Sequence, residues 1–157
     1  MKVALYTRVS TEDQAREGTS LEVQSEFLVS YAKREMNEIV EIYVDDGYSG
    51  YSMERPALRK LLADAKKKKF EMVLVHKIDR FSRNLRDLLN LVEELELLDI
   101  SLKSATEAYD TSNSAGKMMF QQLGSFAEFE RNRIKERVFP GMIKGVQRGN
   151  WQGARYS

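Results

Sequence analysis

The chain predicts an α/β fold: a mostly parallel sheet of four to five strands flanked by helices, followed by a long C-terminal helix. Three observations carry that prediction. Short β-rich runs alternate with segments of helical periodicity in the order βαβαβαβα, the pattern of a parallel sheet with crossover helices. One run, Met72-Val73-Leu74-Val75, is wholly apolar, as expected of a strand buried on both faces. The last strong pattern, from about Ser114 to Phe139, is helical and would be on the order of 37 Å long.

The elements follow in order. Val3 to Val9 is rich in strand formers, and Thr11-Glu12-Asp13-Gln14 breaks the apolar pattern, so the first strand ends near Ser10. A polar loop spans Thr11 to Gly18. Thr19-Ser20-Leu21-Glu22 has the form of a capping box, and Leu21, Leu28 and Tyr31/Ala32 continue at helical spacing to an end near Asn37. From Ile39 to Asp45, Val40, Ile42 and Val44 alternate with Glu41, Tyr43 and Asp45, a strand pattern. Asp46-Gly47-Tyr48-Ser49-Gly50 is a turn-rich loop, and Pro56 suits the first position of a second helix, with Leu58, Leu61, Leu62 and Ala65 on its buried face. Lys66 to Lys69 end that helix in agreement with its dipole. After the apolar third strand and Asp79-Arg80-Phe81-Ser82-Arg83, the residues Leu85, Leu88, Leu89, Val92 and Leu95 mark an amphipathic helix. Ile100 to Ala105 is a fourth strand, and Glu107 to Ala115 a polar loop. Val138-Phe139-Pro140-Gly141 puts a proline in the path of the long helix and predicts a break or kink near Phe139.

Composition narrows the class. The 157 residues are 42% hydrophobic and 31% charged, ordinary for a globular domain with a real core. There is no cysteine, which excludes disulfides and thiolate metal sites and makes the cytoplasm the default location. No apolar run is long enough to suggest a membrane span. The net charge of +1 hides an asymmetry: Arg131 to Arg155 holds seven basic residues and one acid, +6, and the first 130 residues carry −5. A basic tail on a slightly acidic body points to a polyanionic partner near the C-terminus.

Arg8 and Ser10 are two residues apart and so share one side of the first strand, at the carboxyl end where open α/β sheets place their ligands. By itself this is as well explained by a surface serine beside a paired arginine. Yet Arg55, Arg80 and Arg83 also fall at strand or loop ends, and several arginines beside a serine suit a phosphate. Tyr6-Thr7-Arg8-Val9-Ser10-Thr11 resembles the N-terminal signature of the serine recombinases (resolvases, invertases and large serine integrases). Ser20-Leu21-Glu22-Val23-Gln24 is similar to that family's first helix start with its active-site Gln. Tyr48-Ser49-Gly50 through Glu54-Arg55-Pro56 resembles the loop that delivers an active-site arginine. Lys77-Ile78-Asp79-Arg80-Phe81-Ser82-Arg83 resembles its Asp-Arg-x-x-Arg element, and Glu128-Phe129-Glu130-Arg131 through Ile134-Lys135-Glu136-Arg137 the start of its long interface helix. The five segments agree in order and spacing over about Lys2 to Arg137.

The resemblance implies a site-specific recombinase catalytic domain without a cofactor or metal. Ser10 would attack a DNA phosphodiester, forming a 5′-phosphoserine link and freeing a 3′-hydroxyl, and reversal after strand exchange would rejoin DNA. Arg8, Arg80 and Arg83 would clamp the phosphate, Arg55 would position it with Ser10, Arg131 would support them, and Gln24 would orient a neighbour. Asp79 would exchange a proton with the leaving oxygen or anchor the arginines. His76, the one histidine, reads as structural. Double-stranded DNA would be met by Arg131, Arg133, Lys135, Arg137, Lys144 and Arg148. Homodimers and homotetramers on DNA would associate through Met118, Met119, Phe120, Leu123, Phe126, Ala127 and Phe129, which cover more of the helix than one core stripe needs. The subgroup resembled is that of the large recombinases and transposon integrases. In it, residues 1–139 form the catalytic domain, and 140–157, with Gly149-Asn150-Trp151-Gln152-Gly153, a linker toward a DNA-binding region.

Other readings are a metal-dependent nuclease using Asp45, Asp46 and Asp79, and a non-enzymatic flavodoxin-like binding module. The first must set aside that acids are common in turns; the second leaves the serine and its arginines unused. A serine hydrolase would commonly carry a Gly-x-Ser-x-Gly elbow, and none is present.

Overall fold

The structure, a computed structural model, describes residues 1–11 and 20–147, with side chains described as far as 134. The loop read at Thr11 to Gly18 lies almost wholly outside the described residues, as do Thr19, Arg148 and the segment Gly149 to Gly153; so do the side chains of Lys135, Arg137 and Lys144. The chain divides into two compact units, Met1–Phe120 and Gln121–Ser157.

The first unit is the predicted α/β sheet. Its strands β1 (Lys2–Val9), β2 (Glu38–Asp46), β3 (Met72–Val75) and β4 (Ser101–Ser104) lie in the order β2-β1-β3-β4 and are all parallel. The helices are α1 (Leu21–Arg34), α2 (Pro56–Lys66), the single turn α3 (Ile78–Phe81), α4 (Leu85–Leu97) and the start of α5 (Ser114–Gln147). In place of a fifth strand there is one antiparallel bridge, Lys103 to Asp110. The central strand β3 and the Val3–Leu5 part of β1 are apolar on both faces, and Val3, Leu5, Met72 and Leu74 pack under Leu28 and Ala32 of α1. Each such buried side chain contributes about 1.5–3 kcal/mol.

Local chemistry sets the element ends. Ser20 caps α1 by accepting from the Val23 amide, so the helix starts one residue later than a Thr19–Glu22 box would place it. It also ends earlier than Asn37. Helices α1, α2 and α4 close in the same way, each with a residue in the left-handed region just past its cap: Met36 at φ 59°, Lys68 at 54° and Asp99 at 59°. Paired backbone bonds define the motif, Met36 N–H to Lys33 O and Asn37 N–H to Ala32 O in α1. Glycine normally takes this position, and none of the three is glycine.

Two expectations change. Strand β2 alternates as predicted, but its deeper face is the polar one. Tyr43 and Asp45 are buried, whereas Val40, Ile42 and Val44 are 38–44% exposed. The hydrogen-bonded side, where the Tyr43 hydroxyl donates to Asp64 at 2.7 Å, faces α2. The other side lies at a sheet edge, where cover is incomplete. Second, α5 does not break near Phe139 but runs through Pro140 to Gln147. A proline removes one amide donor and crowds one carbonyl, at a cost of about 3 kcal/mol, which a long helix can absorb by bending.

Met36 is 88% exposed, so replacing it perturbs little besides the backbone. We expect Met36→Gly to raise stability in urea by roughly 0.5–1 kcal/mol, because relief of left-handed strain outweighs the added freedom of the unfolded chain. A loss of stability would show that Met36 makes contacts that outweigh its strain.

Candidate active site

The candidate site forms where β1 outruns its neighbour. Pairing of β1 with β3 stops at Tyr6–Val75, whereas β1 continues beside β2 to Val9–Asp46. Three residues of β1 thus project past β3, and the turn α3 fills the space above β3. Ser10 is the first residue beyond β1 and is half-buried.

Arg8 is completely buried there. Its Nε donates to the Arg80 carbonyl at 3.1 Å, Nη1 to the Tyr48 carbonyl at 3.2 Å and Nη2 to the Asp79 carbonyl at 2.7 Å. One side chain from β1 therefore joins the loop after β2 to the turn after β3. Gly50 makes room for it: a Cβ there would lie 2.8 Å from Nη2 and 2.9 Å from Cζ of Arg8. The Arg83 amide donates to the Gly50 carbonyl at 2.9 Å, a second tie between the same two segments.

A second buried chain holds Arg55, also fully buried. Its Nη1 donates to the Tyr6 hydroxyl at 3.1 Å, and that hydroxyl donates to Asp45 Oδ2 at 2.7 Å. Asp45 also accepts from the Ala57 and Leu58 amides at 2.8 and 3.0 Å and so caps α2 from a neighbouring strand. Arg55 occupies the N-cap position of α2 but provides no side-chain cap. Burial, more than any other cause, pushes the Tyr6 phenol up; the hydrogen bond to Asp45 adds to this and Arg55 opposes it.

The turn α3 and the residues just after it carry the remaining charges. Arg80 is buried, and Arg83 has 8% of its side chain exposed. The Asp79 carboxylate, 43% exposed, lies 4.0 Å from Arg80 Nε and 4.0 Å from Arg83 Nη2, loose contacts of small energetic weight. An open groove of about 400 Å³ beside them is lined by Tyr51, Asp79, Arg83, Glu107 and Tyr109, among others. The Arg83 guanidinium lies 5.9 Å from the Tyr51 ring centre.

Arg8, Asp79, Arg80 and Arg83 thus come together through named contacts, and Arg55 is held in the separate chain through Tyr6 and Asp45. Gln24 sits in the first turn of α1, almost fully buried, with its amide oxygen and nitrogen unbonded among the described residues. Arg131 and Arg133 belong to the second unit; both are exposed, and Arg133 pairs with Glu130 at 3.4 Å. On α5, Met118, Phe126 and Phe129 are 56–58% exposed, Met119 and Leu123 are half-buried, and Phe120 is buried against Tyr109 with ring centres 5.8 Å apart. Among the described residues, no group of three or more His, Cys, Asp or Glu side chains could hold a metal ion. No described helix is long and apolar enough to cross a membrane. The sequence assigns no separate role to Tyr6, Gly50 or Glu107, and offers Asp45 only as a metal ligand of the nuclease alternative. Tyr6 could have been found, since residues 6, 8 and 10 share one strand face.

Folded Tyr6 holds its proton in a range where the unfolded chain releases it, above about pH 10. The unfolded state then binds fewer protons, so stability falls as pH rises past that point. Tyr6→Phe should be less stable at pH 8 but lose stability less steeply above pH 10, as read by urea unfolding. An unchanged slope would contradict this description of Tyr6.

Comparison with known proteins agrees with the geometry. The family model for the resolvase N-terminal domain matches residues 3–151. The transposon Tn552 resolvase of Staphylococcus aureus is 35% identical over 155 residues, 98% of this chain and 71% of that protein. A Bacillus subtilis (strain 168) protein that carries a DNA-recombinase name is 37% identical over 147 residues, 94% of this chain but only 29% of that protein. The crystal structure of the N-terminal catalytic domain of TP901-1 integrase superposes with a TM-score of 0.79 at 42% identity, over 84% of this chain and 98% of that one. A resolvase-family site-specific recombinase from Streptococcus pneumoniae gives 0.74 at 35% identity, over 94% and 99%. A family match across nearly the whole chain, on a fold whose strand ends gather these arginines, makes this protein a member of the resolvase N-terminal domain family.

Proposed function

We propose that this chain is the catalytic domain of a site-specific DNA recombinase and that Ser10 is its nucleophile. The observation that carries the proposal is the position of Ser10. It directly follows the strand whose Arg8 is locked into the Asp79–Arg83 turn.

In this reading Ser10 Oγ attacks the phosphorus of a DNA phosphodiester. The new bond is Oγ–P, the broken bond is P–O3′, the hydroxyl proton of Ser10 leaves, and the departing 3′-oxygen gains one. The phosphate stays on the protein as a 5′-phosphoserine, so the reverse step needs no ATP. Negative charge gathers on the nonbridging oxygens and is met by Arg80 and Arg83, with Arg8 and Arg55 contributing field from behind. Asp79, the carboxylate beside Arg80 and Arg83, either exchanges the proton at the 3′-oxygen or anchors those two arginines. Gln24 orients a neighbouring group. The buried setting strengthens every such interaction relative to water.

Assembly follows from α5. The exposed Phe126 and Phe129 of the second unit, and the exposed Met118 of the first, are the apolar side chains through which copies of the protein pair on double-stranded DNA, first as dimers and then as tetramers. Methionine suits an interface that repacks between those states. Phe120 belongs to the core of its own unit and is left out of that interface. Arg131, Arg133, Lys135, Arg137, Lys144 and Arg148 contact the phosphate backbone, which adds affinity and reads no sequence. Residues 1–139 constitute the catalytic part and 140–157 lead toward a DNA-binding region.

The recombinase, together with that DNA-binding region, is incubated with a nicked site in excess EDTA and resolved in detergent. We expect a covalent protein–DNA adduct from wild type and none from Ser10→Ala. An adduct of equal yield in Ser10→Ala would remove Ser10 from the chemistry, and cleavage that appears only with added magnesium would favour a metal-dependent nuclease.

A further inference from the structure

The proposed chemistry depends on the turn α3 holding Asp79 and Arg80 in place, with Arg83 just beyond its end. A one-turn helix has little cooperative stability of its own. It also begins badly: its N-cap residue is Lys77, a cation at the positive end of the peptide dipoles, and Lys77 makes no side-chain cap bond. Some other group must satisfy the start of this turn.

That group comes from the end of β4. Glu107 Oε1 accepts from the Ile78 amide at 2.7 Å, a short bond to a charged acceptor, and is itself steadied by the Ser104 hydroxyl at 3.2 Å. The Glu107 amide in turn donates to Ser104 Oγ at 3.2 Å. The preceding peptides are pinned from the same place. The Thr106 hydroxyl donates to the His76 carbonyl at 2.7 Å, the Ala105 amide donates to the Val75 carbonyl at 2.8 Å, and the one Ser104 O–H is shared between Glu107 Oε1 and the His76 carbonyl, 3.1 Å away. Val75, His76 and Ile78 are therefore each tied to the segment 104–107. On its other side the turn is held by Arg8, through the carbonyls of Asp79 and Arg80.

We infer that Glu107 is a positioning residue for the recombination chemistry, acting as a cap in trans that sets the Asp79–Arg80–Arg83 turn against Ser10. The inference rests on the reading of Ser10 as nucleophile. Glu107 touches no reacting atom in this account. Its carboxylate fixes the first amide of the turn, and with it the direction in which the three charged side chains leave the backbone. Glutamine keeps an acceptor oxygen at the same reach, whereas alanine keeps none. The pair of variants therefore isolates the cap.

The test compares Glu107→Ala, Glu107→Gln and Tyr43→Phe in the DNA-binding recombinase. Tyr43→Phe removes the bond to Asp64 near the far end of α2 and serves as a control for plain destabilisation. Three quantities are read: amide exchange at Ile78, affinity for uncleaved site, and the single-turnover rate of adduct formation well below the melting temperature. Glu107→Ala should speed exchange at Ile78, leave affinity unchanged and slow adduct formation on the order of tenfold to a hundredfold, the usual effect of misplacing a reacting group by an ångström. Glu107→Gln should recover most of the rate, and Tyr43→Phe should keep the wild-type rate. A wild-type rate in Glu107→Ala overturns the inference while leaving Ser10 as nucleophile. So does a rate in Glu107→Gln as low as in Glu107→Ala, or an equal loss in Tyr43→Phe at a matched drop in melting temperature. A wild-type protein that forms no adduct overturns the parent reading, and the role of Glu107 with it.

Discussion

One buried guanidinium organises this site. Arg8 is completely removed from solvent, and burying a cation costs several kcal/mol unless its donors are satisfied. Three of its donors go to backbone carbonyls, of Tyr48, Asp79 and Arg80, on two loops that share no strand pairing with each other. The bond set can form only when both loops are in place. It requires Gly50 to present no side chain, and it requires β1 to project past β3 so that Arg8 reaches over the sheet edge. Arg8 is thereby spent largely on architecture. Arg83, with 8% of its side chain exposed, is the more accessible of the two.

A second regularity concerns how the helices begin. Helices α1 and α4, whose cap positions carry no site charge, use their own N-cap residues, Ser20 and Asn84, in the usual way. Helices α2 and α3 have cations there, Arg55 and Lys77, and neither supplies a cap bond. In both, a carboxylate from a neighbouring strand end substitutes: Asp45 for α2 and Glu107 for α3. A cation at a helix start is unfavourable by itself, since the dipole there is positive. The remote carboxylates offset that local cost at both starts. Asp45 does two things at once, because it also accepts from Tyr6, which in turn accepts from Arg55.

The fold was legible because its signals are periodic. Alternation of β-rich runs with helical spacing, the wholly apolar Met72–Val75 and the proline at the start of α2 are local in the sequence, and the structure has all of them. The motifs likewise placed Arg8, Arg55, Asp79, Arg80 and Arg83 at one end of the sheet. What could not be read were contacts between residues far apart in sequence. Asp45 looks like a turn acid until α2 folds against it, 12 residues on. Glu107 looks like a polar loop residue until β4 pairs with β3 and brings it 29 positions back to Ile78. The inverted face of β2 was illegible for a related reason: apolar alternation does not say which side will find a partner. At Pro140 a real local penalty was read correctly and its weight was not, since helix α5 continues past it.

The central claim is that Arg8 holds the loop after β2 and the turn after β3 as one unit. It is tested most directly by hydrogen exchange on Arg8→Lys, which keeps the charge but cannot reach three diverging carbonyls. The account predicts that segments 48–50 and 78–83 lose protection together and to the same degree, while α4 and β4 keep theirs. Loss confined to one of the two segments, or protection unchanged in both, would contradict it.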